Sequence, residues 1–336
     1  MLNVAINGYG RIGRIVHRQL LEHFGSEARV IAINASSDAK MREYLLKYDT
    51  LHGRFGGQVE VDGDHLLVNG QPVHVIRERD PGKCPWKKLG VDVVVEASGK
   101  FRTRELAKPH LDAGAKAVVI TAPAKDDTTM IVRGVNDDML KSALPIVSAA
   151  SCTTNCIAPV MKVLDEKFGI LKGLVCTTHA YTTSQNLLDN STDSSKVRIA
   201  RAAALSIIPS TTGAVKACAK IFPHLQGKID GMALRVPVPN VSAAYLAMEV
   251  KRKTTVEEVH AALAAAANGP LKGILGMEKD QLVSADFVSD SHSSTIDMDS
   301  TAVIDGTLVQ LLSWYDNEWG YAMRVTEIVN RVGGML

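Results

Sequence analysis

The sequence has no surplus of either charge, no long apolar run, no leader-like start and too few cysteines for a disulfide framework. Lys and Arg number 38 against 36 Asp and Glu, a formal net charge of +2. That balance excludes a protein whose main work is neutralising nucleic-acid phosphates or an anionic membrane surface, while leaving room for a local basic pocket. No apolar stretch approaches the ~18 residues of a membrane-spanning helix, and the chain enters a strand pattern directly instead of a charged and then apolar leader. A cytoplasmic protein with no membrane partner is the expectation. Cys84, Cys152, Cys156, Cys176 and Cys218 are odd in number and widely spread, which points to free thiols, one of them reactive. Repeats and low-complexity tracts are also missing. With 46% hydrophobic and 22% charged residues over 336 positions, the composition is globular and the length fits roughly two domains.

Residues 1–150 alternate short apolar runs (2–6, 29–33, 91–95, 117–120) with helical stretches. Runs apolar at most positions suit strands buried on both faces, and intervening helices imply right-handed crossovers in a doubly wound parallel sheet. Within this region, residues 58–77 alternate in period two around turns at Asp62-Gly63 and Asn69-Gly70, an antiparallel hairpin insertion. Residues 151–316 change texture to longer alternating strands with few helices, an α+β domain with a mostly antiparallel sheet. A long polar loop lies between Thr182 and Ser206, the kind of segment that is usually functional. In residues 317–336, Tyr321, Val325, Ile328 and Val332 mark a helix with one buried face.

Gly8-Tyr9-Gly10-Arg11-Ile12-Gly13 follows the first strand and opens the first helix. Glycines there permit a tight turn and close approach to a pyrophosphate, and the helix start supplies amides and positive dipole, so the segment is a dinucleotide-binding fingerprint. The acidic residue expected ~20 residues further on, which would bind the adenosine 2′-hydroxyl, is replaced by Ala35-Ser36-Ser37. With no fixed negative charge before Asp38, NADP is expected to serve at least as well as NAD. Farther on, Ser151-Cys152-Thr153-Thr154-Asn155-Cys156 stands where a strand (146–148) hands over to an apolar helix (157–168). A thiol at a helix start has its thiolate stabilised and becomes a nucleophile. Cys156, one turn later, reads as structural, and with no second ligand pair at suitable spacing no metal site is expected. A base for Cys152 is available in His179, which ends an apolar strand and enters the polar loop.

These segments, with Leu46-Lys47-Tyr48-Asp49-Thr50, His179-Ala180-Tyr181-Thr182, Ile207-Ile208-Pro209-Ser210-Thr211-Thr212-Gly213, Arg235-Val236-Pro237-Val238-Pro239-Asn240-Val241 and Trp314-Tyr315-Asp316-Asn317-Glu318, carry a resemblance over the whole chain to the phosphorylating glyceraldehyde-3-phosphate dehydrogenases. The resemblance implies a Rossmann domain, a catalytic domain, a C-terminal helix that packs back on the Rossmann domain, and a homotetramer. It implies oxidation of a phosphorylated aldehyde through a Cys152 hemithioacetal and thioester, with His179 as acid and base, hydride transfer to NAD(P), and release of an acyl phosphate by inorganic phosphate. By position, Ser151, Thr153, Thr212 and Gly213 resemble the attacking-phosphate site, and Thr182, Arg198 and Arg235 the substrate-phosphate site. Gly8, Gly10, Arg11, Ile12, Gly13, Ala35, Ser36, Arg79, Ser98, Thr121 and Asn317 resemble cofactor contacts. Members with a non-acidic residue at the Ala35 position use NADP in photosynthetic and gluconeogenic branches.

Two departures concern the substrate. The usual aspartate after the histidine segment is Ser184, and one of the paired arginines of the polar loop is Ile199, so one guanidinium of the substrate-phosphate site is missing unless Arg198 takes its place. Erythrose 4-phosphate is the alternative aldehyde, although the segment around Thr212 keeps the glyceraldehyde-phosphate form. The reading from another class is a redox-sensing or nucleotide-binding protein built on Cys152 and the dinucleotide groove.

Overall fold

The computed structural model describes all 336 residues. They divide into two compact units, Met1–Ser151 with Ala322–Leu336, and Cys152–Tyr321. No helix is long and apolar enough to cross a membrane.

In the first unit, β1 (Leu2–Asn7) runs straight through the Gly8–Gly10 turn into α1 (Arg11–Phe24) and returns as β2 (Ala28–Asn34). Helix α2 (Ala39–Lys47) is capped by Asp38, whose carboxylate accepts from the Met41 amide at 2.8 Å. A two-residue ribbon, β3 (Tyr48–Asp49) and β4 (Gly53–Arg54), precedes β5 (Val59–Asp62), β6 (His65–Val68) and β7 (Gln71–Ile76). The short α3 (Trp86–Leu89), β8 (Val93–Glu96), α4 (Arg104–Asp112), β9 (Ala117–Ile120), α5 (Leu140–Ala143) and β10 (Ile146–Ser148) complete the unit. The sheet order is β10-β9-β8-β1-β2-β7-β6-β5, parallel from β10 through β7. This is the expected doubly wound sheet. Its central strands are apolar throughout, and Val4, Ala5, Ile6, Val93, Val94 and Val95 are all fully buried, because helices cover both faces. The segment expected as a hairpin insertion is three strands. β5 and β6 pair antiparallel, as do β6 and β7, but β7 lies parallel to β2 and extends the main sheet. Alternation could not reveal this, since period two is the same in either pairing.

The second unit opens with α6 (Cys152–Phe168), followed by β11 (Ile170–Ala180), β12 (Ile208–Thr211), α7 (Ala214–Ile221), β13 (Ile229–Val236), β14 (Ser242–Val250), α8 (Val256–Ala267), β15 (Leu275–Glu278), β16 (Ser294–Ile304), β17 (Leu308–Tyr315) and the start of α9 (Trp319–Gly333). Its sheet, ordered β12-β13-β11-β14-β17-β16-β15, is antiparallel except at β11/β13 and β15/β16. Residues 153–161 of α6 are buried without interruption, as for a helix enclosed on all sides. The rest of α9 belongs to the first unit. Val325, Ile328, Val329 and Val332 are fully buried there, and Asn330 Nδ2 donates to Glu27 at 2.7 Å.

Candidate active site

The carboxyl ends of parallel strands β1, β2 and β8 border a cleft of about 910 Å³, the place where doubly wound sheets bind ligands. Gly8, Gly10, Ala35, Ser36, Arg79 and Ser98, expected as cofactor contacts, line it. Glycine is required at two of the fingerprint positions. Gly8 has φ +94°, and a Cβ there would stand 2.4 Å from Ser98 N; at Gly13 it would stand 2.3 Å from Gly8 O. The remaining expected contacts of this unit do not line the cleft. Arg11 forks onto Asp49 at 3.0 and 3.1 Å. Burial would raise the Asp49 carboxyl, but Arg11 and the His52 and Leu51 amides hold it down at about 2. Ile12 and Gly13 lie in the first turn of α1, and Thr121 Oγ1 donates to Glu96 O at 3.1 Å.

Behind the cleft wall a buried network fixes the strand ends. Glu96 accepts from Asn7 Nδ2, from Ser98 through its amide at 2.9 Å and its hydroxyl, and from His110 Nε2 at 3.1 Å. Trp86 Nε1 donates to His110 Nδ1 at 3.0 Å, which leaves Nε2 as the protonated nitrogen facing Glu96. Asn34 Nδ2 donates to Asn7 Oδ1 and Glu78 O, at 2.7 and 2.8 Å. These residues fit a bound dinucleotide: glycines where backbone must approach closely, and beside them the start of α1, which no side chain caps.

In the second unit, Cys152 is the first residue of α6 and His179 the penultimate residue of β11. Their side chains meet, with Sγ 3.4 Å from Nε2. The parallel register of β11 with β13 sets Arg235 directly beside His179. Arg235 Nη1 donates to Ala180 O at 3.0 Å and lies 2.7 Å from His179 Nδ1, which itself lies 2.7 Å from Ala180 O. Nδ1 thus faces both a carbonyl acceptor and a guanidinium donor; when its proton is given to Ala180 O, Nε2 presents a lone pair to the thiol, and when it accepts from Arg235 the proton is on Nε2. Tyr315 closes the other side: its hydroxyl is 3.0 Å from Thr153 Oγ1 and its ring meets the imidazole edge to face at 6.0 Å.

Burial disfavours charge on both partners. Burial pushes the Cys152 thiol up, with Arg235 and the Thr153 hydroxyl acting against it. Burial first, and then Arg235, bring His179 down to about 4. Burial of the thiol therefore works against the thiolate stabilisation expected from the helix start, while Arg235 and the Thr153 hydroxyl work with it. The thiol and imidazole face each other ready for transfer of one proton.

The remaining expected residues are spread along their loops. Thr182 Oγ1 is 2.9 Å from Ser184 Oγ. Thr212 Oγ1 accepts from Ala214 N at 3.2 Å, and Gly213 precedes α7. Arg198 is exposed in the turn Ser194–Ala200 beside half-buried Ile199, and Arg201 is held on the surface by Asp189 at 2.9 Å. Neither guanidinium is drawn to Cys152. Ser151 is half-buried immediately before Cys152. Asn317 is buried, and its Oδ1 accepts from Ser242 Oγ at 2.8 Å. Ser242 Oγ also accepts from Ala180 N at 3.0 Å. Sequence reading missed Tyr315 and Ser242 as site residues, and the only signal was their place in the Trp314–Glu318 segment and at the start of a strand. Cys84 and Cys156 are buried, with thiols pushed up to about 12 by desolvation.

Residues 2–104 match the family described as "Glyceraldehyde 3-phosphate dehydrogenase, NAD binding domain", and residues 151–317 match its C-terminal domain. Among curated proteins, the chain is 52% identical over 328 residues to "Glyceraldehyde-3-phosphate dehydrogenase" of Geobacillus stearothermophilus, covering 97% of each chain. It is 47% identical over 336 residues to "Glyceraldehyde-3-phosphate dehydrogenase 2" of Bacillus subtilis (strain 168), covering 100% of this chain and 98% of the relative. To the Salmonella typhimurium enzyme of the same name it is 46% identical over 331 residues, covering 98% of this chain and 99% of the relative. Both halves match in order and the relatives align essentially end to end, so the chain belongs to the glyceraldehyde-3-phosphate dehydrogenase family.

Proposed function

We propose that Cys152 and His179 carry out the phosphorylating oxidation of glyceraldehyde 3-phosphate by covalent catalysis. The observation that carries this reading is the 3.4 Å approach of Cys152 Sγ to His179 Nε2. The chain is an NAD(P)-dependent oxidoreductase acting on an aldehyde. Sγ adds to the aldehyde carbon while its proton passes through Nε2 to the carbonyl oxygen, giving a hemithioacetal on Cys152. Backbone amide at the start of α6 and the His179 imidazole face the charge that develops on that oxygen. His179 then removes the hydroxyl proton as hydride leaves, the step for which a bound nicotinamide supplies the acceptor, and a thioester remains on Sγ. Inorganic phosphate attacks the thioester carbonyl, the carbon–sulfur bond breaks, and Sγ recovers its proton from His179 as the acyl phosphate departs. Ser151, Thr153, Thr212 and Gly213 hold the attacking phosphate, and Thr182 and Arg235 hold the phosphate of the aldehyde.

Cys152→Ser tests the chemistry. Phosphate-dependent reduction of the cofactor should fall by about 10⁴-fold or more while nucleotide binding persists. A variant that keeps a tenth of the wild-type rate rules out Cys152 as nucleophile.

The cofactor is read as NADP at least as readily as NAD. Ala35 and Ser36 line the cleft, and the first carboxylate after β2, Asp38, is occupied in capping α2. Asp38, the one carboxylate of the β2–α2 turn, does not line the cleft and is turned to the Met41 amide. Comparing kcat/KM for the two cofactors decides the point, and a strong NAD preference overturns it. Self-association into a homotetramer is supported by apolar side chains left exposed in the second unit, among them Leu187, Leu188 and Leu205 at 79%, 69% and 80%.

A further inference from the structure

Two buried arginines converge on one carbonyl oxygen at the dinucleotide cleft. Arg14 of α1 and Arg42 of α2 are 9% and 8% exposed, and each donates through Nη1 to Tyr9 O, at 3.1 and 3.0 Å. Both line the cleft. Neither is in hydrogen-bond or ion-pair contact with a carboxylate, Asp49 and Asp38 acting on Arg14 and Arg42 only at longer range, and the Nε of each is buried without a hydrogen-bond partner. Tyr9 O cannot neutralise two cations, and burying a guanidinium without a counter-charge is costly. One carboxylate, Glu78, shares the cleft wall, but its Oε1 already accepts from the Arg79 and Asp80 amides at 2.7 and 3.0 Å. The arrangement is that of a site built for an anion that comes with the ligand.

The position of Arg42 says which anion. In a doubly wound sheet the pyrophosphate sits at the start of the first helix, and the end of the second strand reads the ribose of the adenosine. Arg42 lies one turn into the helix that follows β2, on the same cleft wall as Ala35 and Ser36. Arg77 and Arg79 also line the cleft, but they are exposed and bring charge without fixed direction. Arg42 is braced by packing and by Tyr9 O, so little freedom remains to be lost when it binds.

We propose that Arg42 is the residue that reads the adenosine 2′ position, its buried guanidinium donating to a 2′-phosphate beside Ser36 while Arg14 adds a second positive charge. The proposal rests on the NADP reading above and gives it a specificity-determining residue. A 2′-hydroxyl in the same place would leave both guanidiniums without an anion in direct contact.

The test is calorimetric titration of the cofactor-free full-length protein with adenosine 2′,5′-bisphosphate and with adenosine 5′-monophosphate, which differ only in the 2′-phosphate. Wild type should bind the bisphosphate at least about tenfold more tightly, and Arg42→Met should reduce that ratio by about tenfold. Equal affinities in the wild type sink the NADP reading and this proposal with it. A wild-type preference that survives Arg42→Met leaves the NADP reading standing and overturns the role of Arg42. Parallel weakening of both ligands also overturns it, because Arg42 then only braces the glycine turn. If the methionine variant fails to fold, Arg42→Lys decides: the amine keeps the charge but loses the fork, so the ratio should fall by about threefold, and an unchanged ratio overturns the assignment.

Discussion

Opposing influences meet at Cys152. Backbone amides at the start of α6 favour the thiolate, and Arg235 does the same from β13, yet burial disfavours any charge and keeps the thiol above its ordinary value. Arg235 acts on both partners in one direction, lowering the pKa of the thiol and of the imidazole. The consequence for His179 has a definite sign. Its value of about 4 lies below the ordinary imidazole value of about 6.5, so Nε2 remains a free base across that interval and is lost only as pH falls through about 4. The acid limb of kcat/KM that reports His179 should therefore lie near pH 4, two to three units below that of an exposed imidazole. Arg235→Leu removes the charge, and both values should rise. Alkylation of Cys152 by iodoacetamide, a neutral reagent indifferent to the substrate-phosphate site, should then slow by about three- to tenfold at a pH of about 8. An unchanged alkylation rate means that Arg235 does not tune Cys152.

Strand register does at the level of elements what no single residue achieves. Pairing of β14 with β17 sets Ser242 opposite Tyr315, and the Ser242 hydroxyl then joins Ala180 N, next to the base, to Asn317 Oδ1. The carboxamide of Asn317 is thereby oriented with its oxygen occupied. Ser242→Ala should leave that oxygen unsatisfied, a loss of about 1–3 kcal/mol; with Asn317 as the cofactor contact that the family resemblance implies, this is read as a roughly 5- to 100-fold rise in cofactor KM with a smaller effect on kcat. Equal KM values in the two proteins show that Asn317 is held by the fold alone. Such links explain which parts of the molecule were legible beforehand. β9 and the Gly8–Gly13 turn declare themselves locally, by an apolar run and by glycines at fixed offsets. The apolar part of α6 was visible from Ile157 onward, but its true start was masked by Thr153, Thr154 and Asn155, polar residues that are nevertheless buried. Cys152 and His179 stood out because each sits at an element end. Tyr315 did not, since its partner Thr153 is 162 positions away, and Glu96 did not, since its value lies in partners drawn from three other segments.

The whole molecule leaves apolar surface that the single chain does not cover. On one face of the second unit's sheet, Cys176 stands in register between Met232 of β13 and Tyr245 of β14, and Tyr245 in turn pairs with Leu312 of β17. Met232 is 43% and Tyr245 40% exposed, and Leu174, two residues before Cys176 on the same face of β11, is 63% exposed. An apolar row across the middle of a sheet is stable in water when another copy buries it, and a net charge of +2 offers little repulsion against that association. In a symmetric assembly the patch meets itself about a two-fold axis, so one substitution acts on both sides of the interface. Tyr245→Glu should place like charges opposite each other at a cost of several kcal/mol, about 2–5, and raise the dissociation constant by at least about 30-fold. Tyr245→Phe keeps the ring and should associate as the wild type does. Sedimentation velocity over a concentration series reads the difference: a heavy species for wild type and Tyr245→Phe, and a lighter one for Tyr245→Glu. A wild type that sediments as a monomer, or a glutamate variant that sediments as the wild type does, removes this sheet face from the interface.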